Sequence, residues 1–276
     1  MNRILLCPAL AGLLSMAQAG PVVLSTDFDS SVPAQIAPGA ASVAAVQGYA
    51  GLGPAGNPFG GKFLRSPTGN VVTISLDNLP AHSTLSLGFL FAAIDSLDGT
   101  GTYPQGDFLR VKLDGVEIFR ESFANADPGQ VQSYIPALGV LLARRIDLGF
   151  SQGYYYNDSA YNMAAEPRFQ NLPHTLPTAT VTFEIEGPGI QPLDDESWAM
   201  DNLRITLDAA ACPGDLNNDG FVDDSDFVLF VSSYNILDCA DPAMPSGCPA
   251  DLNGDNAVDD ADFVIFVGAY NELLCP

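Results

Sequence analysis

The chain has 276 residues, with 33 acidic against 10 basic side chains and a formal net charge of −23. So acidic a surface repels nucleic acid and anionic membrane, which excludes both as partners. Beyond the N-terminus no apolar run approaches the ~18 residues that a membrane-spanning helix needs, and the remainder suits one large β domain with a small appendage.

Residues 1–19, MNRILLCPALAGLLSMAQA, carry one basic residue, Arg3, then an apolar stretch from Ile4 to Ala17, with small residues at Ala17 and Ala19. This is the layout of a secretory signal peptide cleaved after Ala19 or Gly20, so the mature protein is expected to be soluble and extracellular. Cys7 would leave with it. Leu5 and Leu6, just before that cysteine and so near the start, do not suit a lipoprotein.

Residues 20–207 read as strands. NVVTISLDNL (70–79), STLSLGFLFAAID (83–95), DFLRVKLD (107–114), GVEIFRESF (115–123), TATVTFEIEG (178–187) and SWAMDNLRITL (197–207) are rich in β-branched and aromatic residues, with Gly, Pro, Asn and Asp clusters between them. LDG at 113–115 is a hairpin signal. No amphipathic helix interrupts the series, and turn-punctuated strands within one domain predict a β-sandwich of jelly-roll type. Trp198 is expected in its core.

Catalytic signals in this region are weak. His82 and His174 sit in Pro-flanked turns without a nucleophile, and there is no G-x-S-x-G elbow or metalloprotease helix. Glu184 and Glu186 share one strand face and imitate a glycosidase pair. Such carboxyls stand ~5–10 Å apart across a cleft, usually on separate elements. Tyr154, Tyr155, Tyr156 and Tyr161 form an aromatic-rich segment able to stack on sugar rings.

A short linker, 208–211, leads to residues 212–276, which hold 13 Asp or Glu and no Lys or Arg. Such a segment cannot neutralise itself by salt bridges; it stays solvated or binds cations. It is also a repeat. CPGDLNNDGFVDDSDFVLFVSSYNILDC (212–239) aligns without gaps to CPADLNGDNAVDDADFVIFVGAYNELLC (248–275), with 18 of 28 positions identical. Asp215, Asn217, Asp219, Asp223 and Asp226 occupy positions 1, 3, 5, 9 and 12 of a twelve-residue loop, with the Phe221 carbonyl at position 7. Asp251, Asn253, Asp255, Ala257, Asp259 and Asp262 repeat the pattern. Calcium takes six to eight oxygens, and this spacing wraps them around one point. Position 6 needs a left-handed turn, which Gly220 and Asn256 tolerate. The apolar runs after each loop predict helices, with Phe227, Phe230, Val231 and Tyr234, and Phe263, Phe266, Val267 and Tyr270, as the seam. Val228, Leu229, Val264 and Ile265 fall outside it and are expected to contact a partner. Cys212, Cys239, Cys248 and Cys275, an even number in an exported chain, suggest two disulfides.

A calcium loop plus exiting helix, duplicated, with Asp at position 12 and no entering helix, resembles the type I dockerin module. The resemblance covers residues 212–276 and implies two calcium ions, antiparallel helices and docking onto a cohesin-like domain. The family's partner-reading positions depart here: Asp224-Ser225 and Asp260-Ala261 stand where Ser-Thr is common, and Val231-Ser232 and Val267-Gly268 where a basic pair is frequent. A helix of about 12 residues spans roughly 18 Å, too far for a disulfide within one repeat. Like-position pairing needs parallel helices. The antiparallel arrangement implied by the resemblance pairs Cys212 with Cys275 and Cys239 with Cys248.

LPAHSTLSLGFLFAAIDSLDG (79–99), GDFLRVKLDGVEIF and ESWAMDNLRI are similar to jelly-roll domains of exported bacterial proteins and carbohydrate-binding modules. Those imply a structural calcium between first and last strands, for which Asp27, Asp29 and Asp201 are the candidates. The expectation is a secreted, non-catalytic β-sandwich docked onto an extracellular partner by its helical module. The alternatives are a carbohydrate-binding component of a polysaccharide-degrading system and a cryptic glycoside hydrolase.

Overall fold

The computed structural model describes residues 21–100, 106–125, 129–150, 157–209, 213–217, 219 and 221–272. Residues 1–19, read as a signal peptide, lie outside them. In chain order the strands are β1 (Val22–Thr26), β2 (Ile36–Ala37), β3 (Ser42–Ala45), β4 (Lys62–Pro67), β5 (Val72–Asp77), β6 (His82–Asp95) and β7 (Phe108–Leu113). They continue with β8 (Val116–Ser122), β9 (Leu141–Ile146), β10 (Asp158–Asn162), β11 (Leu172–Pro173), β12 (Thr178–Glu186) and β13 (Glu196–Ala209). Two helices follow, α1 (Asp224–Tyr234) and α2 (Asp260–Glu272).

The fold is mainly β, as the sequence predicts. One antiparallel sheet runs β3-β4-β13-β6-β10-β9, with β1 added against β13 and β11 against β6; the other runs β2-β5-β12-β7-β8. Alternation along the strands makes this two-layered. β12, TATVTFEIE, buries Ala179, Val181, Phe183 and Ile185 and turns the residues between them outward, the period-2 signature of a half-buried strand. Those side chains meet Phe89, Phe91 and Trp198 of the facing sheet in one core. Phe89 and Phe183 touch edge-to-face across the layers with ring centroids 5.3 Å apart.

β6 breaks the alternation near its end, where every residue from Phe89 to Asp95 is buried. A second cluster supplies the reason. Tyr49, Phe59, Phe63, Leu148 and Phe150 cover the outer side of that sheet and pack on Leu90, Ala92, Ile94 and Ala199. Sheets covered on both faces read as continuous apolar runs.

The expected hairpin joins β7 to β8 through Asp114 (φ 50°) and Gly115 (φ 80°). Two consecutive left-handed residues are what a two-residue type I′ turn requires. β13 continues to Ala209, two residues into the segment read as linker.

The helices lie antiparallel. Tyr234, the last residue of α1, donates its hydroxyl to Asp260 Oδ1 at the start of α2, at 2.5 Å. Tyr270, near the end of α2, donates likewise to Asp224 Oδ1, the first residue of α1. The two contacts are one contact seen twice, 36 residues apart. Between them Phe230 and Phe266 stack at 4.9 Å, both 1% exposed. The seam is narrower than the sequence expectation: Phe227, Val231, Phe263 and Val267 stay partly open to solvent, and the loops add Val222 and Val258 to the buried core. Cys239 and Cys248 are joined by a disulfide across the connector; Cys212 and Cys275 lie outside the described residues.

Candidate functional site

Each repeat folds its carboxylates inward. Oxygens of Asp215, Asp219 and Asp226, positions 1, 5 and 12, lie within 4.8 Å of one another, and those of Asp251, Asp255 and Asp262 do the same. Position 12 organises the loop. Asp226 is fully buried and accepts the backbone N–H of Leu216 (2.7 Å), Asn217 (3.0 Å) and Asp223 (3.0 Å). Asp262 takes Leu252 (2.8 Å), Asn253 (3.0 Å) and Asp259 (2.9 Å). Position 3 is held at the mouth: Asn217 and Asn253 each accept the N–H of position 5 through Oδ1, at 2.8 Å. At position 6, Asn256 takes φ 71°, the left-handed turn expected there.

Position 9 also caps the helix that follows it. Asp223 Oδ1 accepts Ser225 N–H and Asp259 Oδ1 accepts Ala261 N–H, both at 2.8 Å, so these carboxylates cap the two helices. In α1 positions 9 and 12 close a reciprocal capping box, and in α2 Asp262 accepts the N–H of Asp259 in the same way. The carbonyl-bearing residues at position 7, Phe221 and Ala257, each donate N–H to the position-5 carboxylate, at 3.0 and 2.9 Å.

The outer faces of the helices are apolar. Val228 is 67% and Val264 71% exposed; Leu229 is also exposed, whereas Ile265 is half-buried.

Several sandwich residues have other jobs than those the sequence suggested. Tyr161 is fully buried against Phe91, Phe123 and Tyr134, so it cannot stack on a sugar; Tyr154, Tyr155 and Tyr156 lie outside the described residues. Glu184 accepts from Arg110 Nε at 2.6 Å, and Glu186 bridges Arg110 and Arg120 at 3.0 Å each. They neutralise two arginines that face each other across β7 and β8, a structural role in place of a glycosidase pair. Trp198 sits in the core.

Asp27, Asp29 and Asp201 are not gathered within one ion's reach. Asp201 is buried and takes the N–H of Gly60 (3.1 Å) and Asn202 (2.7 Å), while Asp29 takes Lys62 N–H at 2.6 Å and Asp27 takes Asp29 N–H at 3.1 Å. Burial pushes Asp201 up to about 7 against those donors. Beside them opens a cleft of about 610 Å³ lined by Ser25, Thr26, Asp27, Gly56, Asn57, Asn202 and Arg204. Its volume is that of a small-ligand site, and its lining is polar.

Two buried polar groups were missed from sequence. His82 Nε2 and His174 Nδ1 meet at 2.6 Å, and His174 Nε2 reaches Asp114 Oδ2 at 3.0 Å, a chain that links the sheets through the β7–β8 turn. Asp95, the last residue of β6, and Asp158, the first of β10, lie together, with Asp158 accepting Asp95 N–H at 3.0 Å: burial, with Asp158 alongside, pushes Asp95 up to about 7, and burial raises Asp158 to about 6. Residues far apart in sequence form both groups, so no local spacing announces them.

No family model and no curated protein matches the chain. Among solved structures, the CBM22-1 xylan-binding domain from Paenibacillus barcinonensis Xyn10C is similar over 71% of this chain and 100% of its own, at 13% identity and a TM-score of 0.30. A family GH115 4-O-methyl-α-glucuronidase with specificity for decorated arabinogalactans matches over 75% of this chain, at 14% identity and TM-score 0.32. The Agl-KA catalytic domain matches over 83%, at 14% identity and TM-score 0.31. The chain spans 20% and 36% of those two proteins. No residue role transfers at such values.

Proposed function

We propose that this chain is a secreted, non-catalytic protein that attaches its β-sandwich to an extracellular partner through a calcium-ordered helix pair. The observation that carries the reading is the duplicated loop in which positions 1, 5 and 12 converge. Three like charges at that spacing repel, and a divalent cation bound there converts binding energy into folding energy. The dockerin resemblance supplies the class of partner, a cohesin-like domain. Val228 and Val264 supply apolar contact at equivalent places on the two helices. A far-UV circular dichroism titration of residues 210–276 tests the metal half: helical signal is expected to rise with added Ca²⁺ and fall with excess chelator. An unchanged spectrum, with disulfides reduced, would reject it.

A second reading concerns the sandwich. The cleft beside β13 offers amide, hydroxyl, carboxylate and guanidinium groups, the lining that hydroxyl-rich polysaccharide needs, and this favours a carbohydrate-binding role in a polysaccharide-degrading system. Its lining lacks an aromatic ring among the described residues, so binding would rest on hydrogen bonds. Retardation of the full chain in gels cast with soluble xylan or arabinogalactan is the expected result. Arg204→Ala should abolish it, and equal mobility with and without polymer would sink the idea.

A further inference from the structure

Away from both loops and from the cleft, three carboxylates meet inside the sandwich. Asp98 follows β6, Asp107 precedes β7 and Glu196 opens β13. One oxygen of each lies within 4.8 Å of the others, and the residues are 6%, 0% and 0% exposed.

Their donors are too few. Asp98 Oδ1 accepts from Gln130 Nε2, and Asp107 Oδ2 accepts Asp98 N–H at 2.6 Å. Glu196 accepts Gln191 N–H at 2.9 Å and its Nε2 at 3.2 Å. Asp107 Oδ1 is buried and receives no N–H donor, and the Asp107 and Glu196 carboxyl groups meet each other directly. Among the described residues, none of the three forms an ion pair with Arg, Lys or His. Buried carboxylates crowded together do not all ionise without a counter-charge. Burial and mutual repulsion push Asp107 and Glu196 upward, so the choice lies between a shared proton and a cation.

Geometry favours the cation. Calcium–oxygen contacts of 2.3–2.6 Å place ligands up to about 5 Å apart around one centre, which matches this cluster. A proton shared between Glu196 and Asp107 relieves one charge; Asp98 remains. We infer that Asp98, Asp107 and Glu196 form a buried calcium site, completed by backbone carbonyls or water, which clasps β6 and β13 of one sheet to β7 of the other. It is distinct from the Asp27, Asp29 and Asp201 site expected from sequence.

The test uses the full chain with Asp215→Ala and Asp251→Ala, which removes a ligand from each helix-pair loop. After equilibration with CaCl2, one calcium per chain should remain by elemental analysis. Terbium should replace it and emit on excitation of Trp198, the chain's one tryptophan, two residues along β13 from Glu196 and on the same side of the strand. Glu196→Gln should lose both signals while Trp198 keeps its buried emission. If Glu196→Gln does not fold, the calcium count and calcium-displaced terbium emission of the unsubstituted sandwich decide. No retained calcium and no tryptophan-sensitised emission would overturn the proposal in favour of the shared proton. Emission that survives Glu196→Gln would overturn it too, since the ion would lie elsewhere.

Discussion

At the scale of single residues, positions 9 and 12 of each loop separate cleanly although both are Asp. Asp262 is fully buried and holds three backbone N–H groups; Asp259 sits at a helix end and holds one. Removing an acceptor from buried donors costs ~1–3 kcal/mol, and losing an N-cap costs about 1 kcal/mol. Asp262→Ala should therefore leave α2 unformed even in saturating calcium. Asp259→Ala should fold at a modestly higher calcium concentration. Amide chemical shifts of Leu252 and Asn253 would report the difference, and equal behaviour of the two variants would show that position 12 has no organising role. The spacing made both residues visible as candidate ligands; their different holds on the backbone rest on N–H contacts that no spacing announces.

At the scale of elements, the strands legible in the sequence are those with at least one full apolar face: β5, β6, β7, β8, β12 and β13. Those missed are short or carry polar residues inward. β10, DSAYN, buries Asp158 and Ser159, while β9, LLARRI, turns its leucine and isoleucine ends to solvent. The helix seam was half legible. Phe230 and Phe266 follow from periodicity, whereas Val231 and Val267 stay partly open to solvent and the core adds loop valines that no helical repeat can include. Because Val228 and Val264 are the most exposed apolar side chains of α1 and α2, Val228→Asp with Val264→Asp should abolish partner capture and leave the calcium midpoint of helix formation unchanged. Loss of both together in a calcium titration would assign these valines to folding. The Tyr234–Asp260 and Tyr270–Asp224 contacts were invisible in sequence, since each spans two elements.

At the scale of the whole molecule, buried acid makes the sandwich sensitive to pH. An acid whose folded pKa lies above its unfolded value adds stability while protonated. That contribution is complete below the unfolded value near 3.8 and fades as pH climbs through about 6 for Asp158 and about 7 for Asp95. Arg65 approaches Asp95 only to 4.0 Å, too far for a hydrogen bond to offset it. The sandwich should thus lose stability between pH 5 and pH 8, on the order of 1–3 kcal/mol given ~1.4 kcal/mol per pKa unit and partial relaxation. Urea midpoints in chelator should fall across that range, and Asp95→Asn should flatten the slope. A midpoint that rises would mean these carboxylates are ionised and paired at neutral pH.

β13 also determines how the protein meets mechanical load. A chain held by its helix pair is pulled at Ala209, where this 14-residue strand leaves the sheet. Near that end β13 is flanked by β1 on one side and β6 on the other, and ladder bonds lie across the strand axis. Tension along β13 therefore shears many bonds at once and cannot peel them singly. The helix pair has no such ladder, and forced opening is a matter of rate. In a stretching experiment the helices should yield first and reversibly, at a force that rises with added calcium, while the sandwich stays folded.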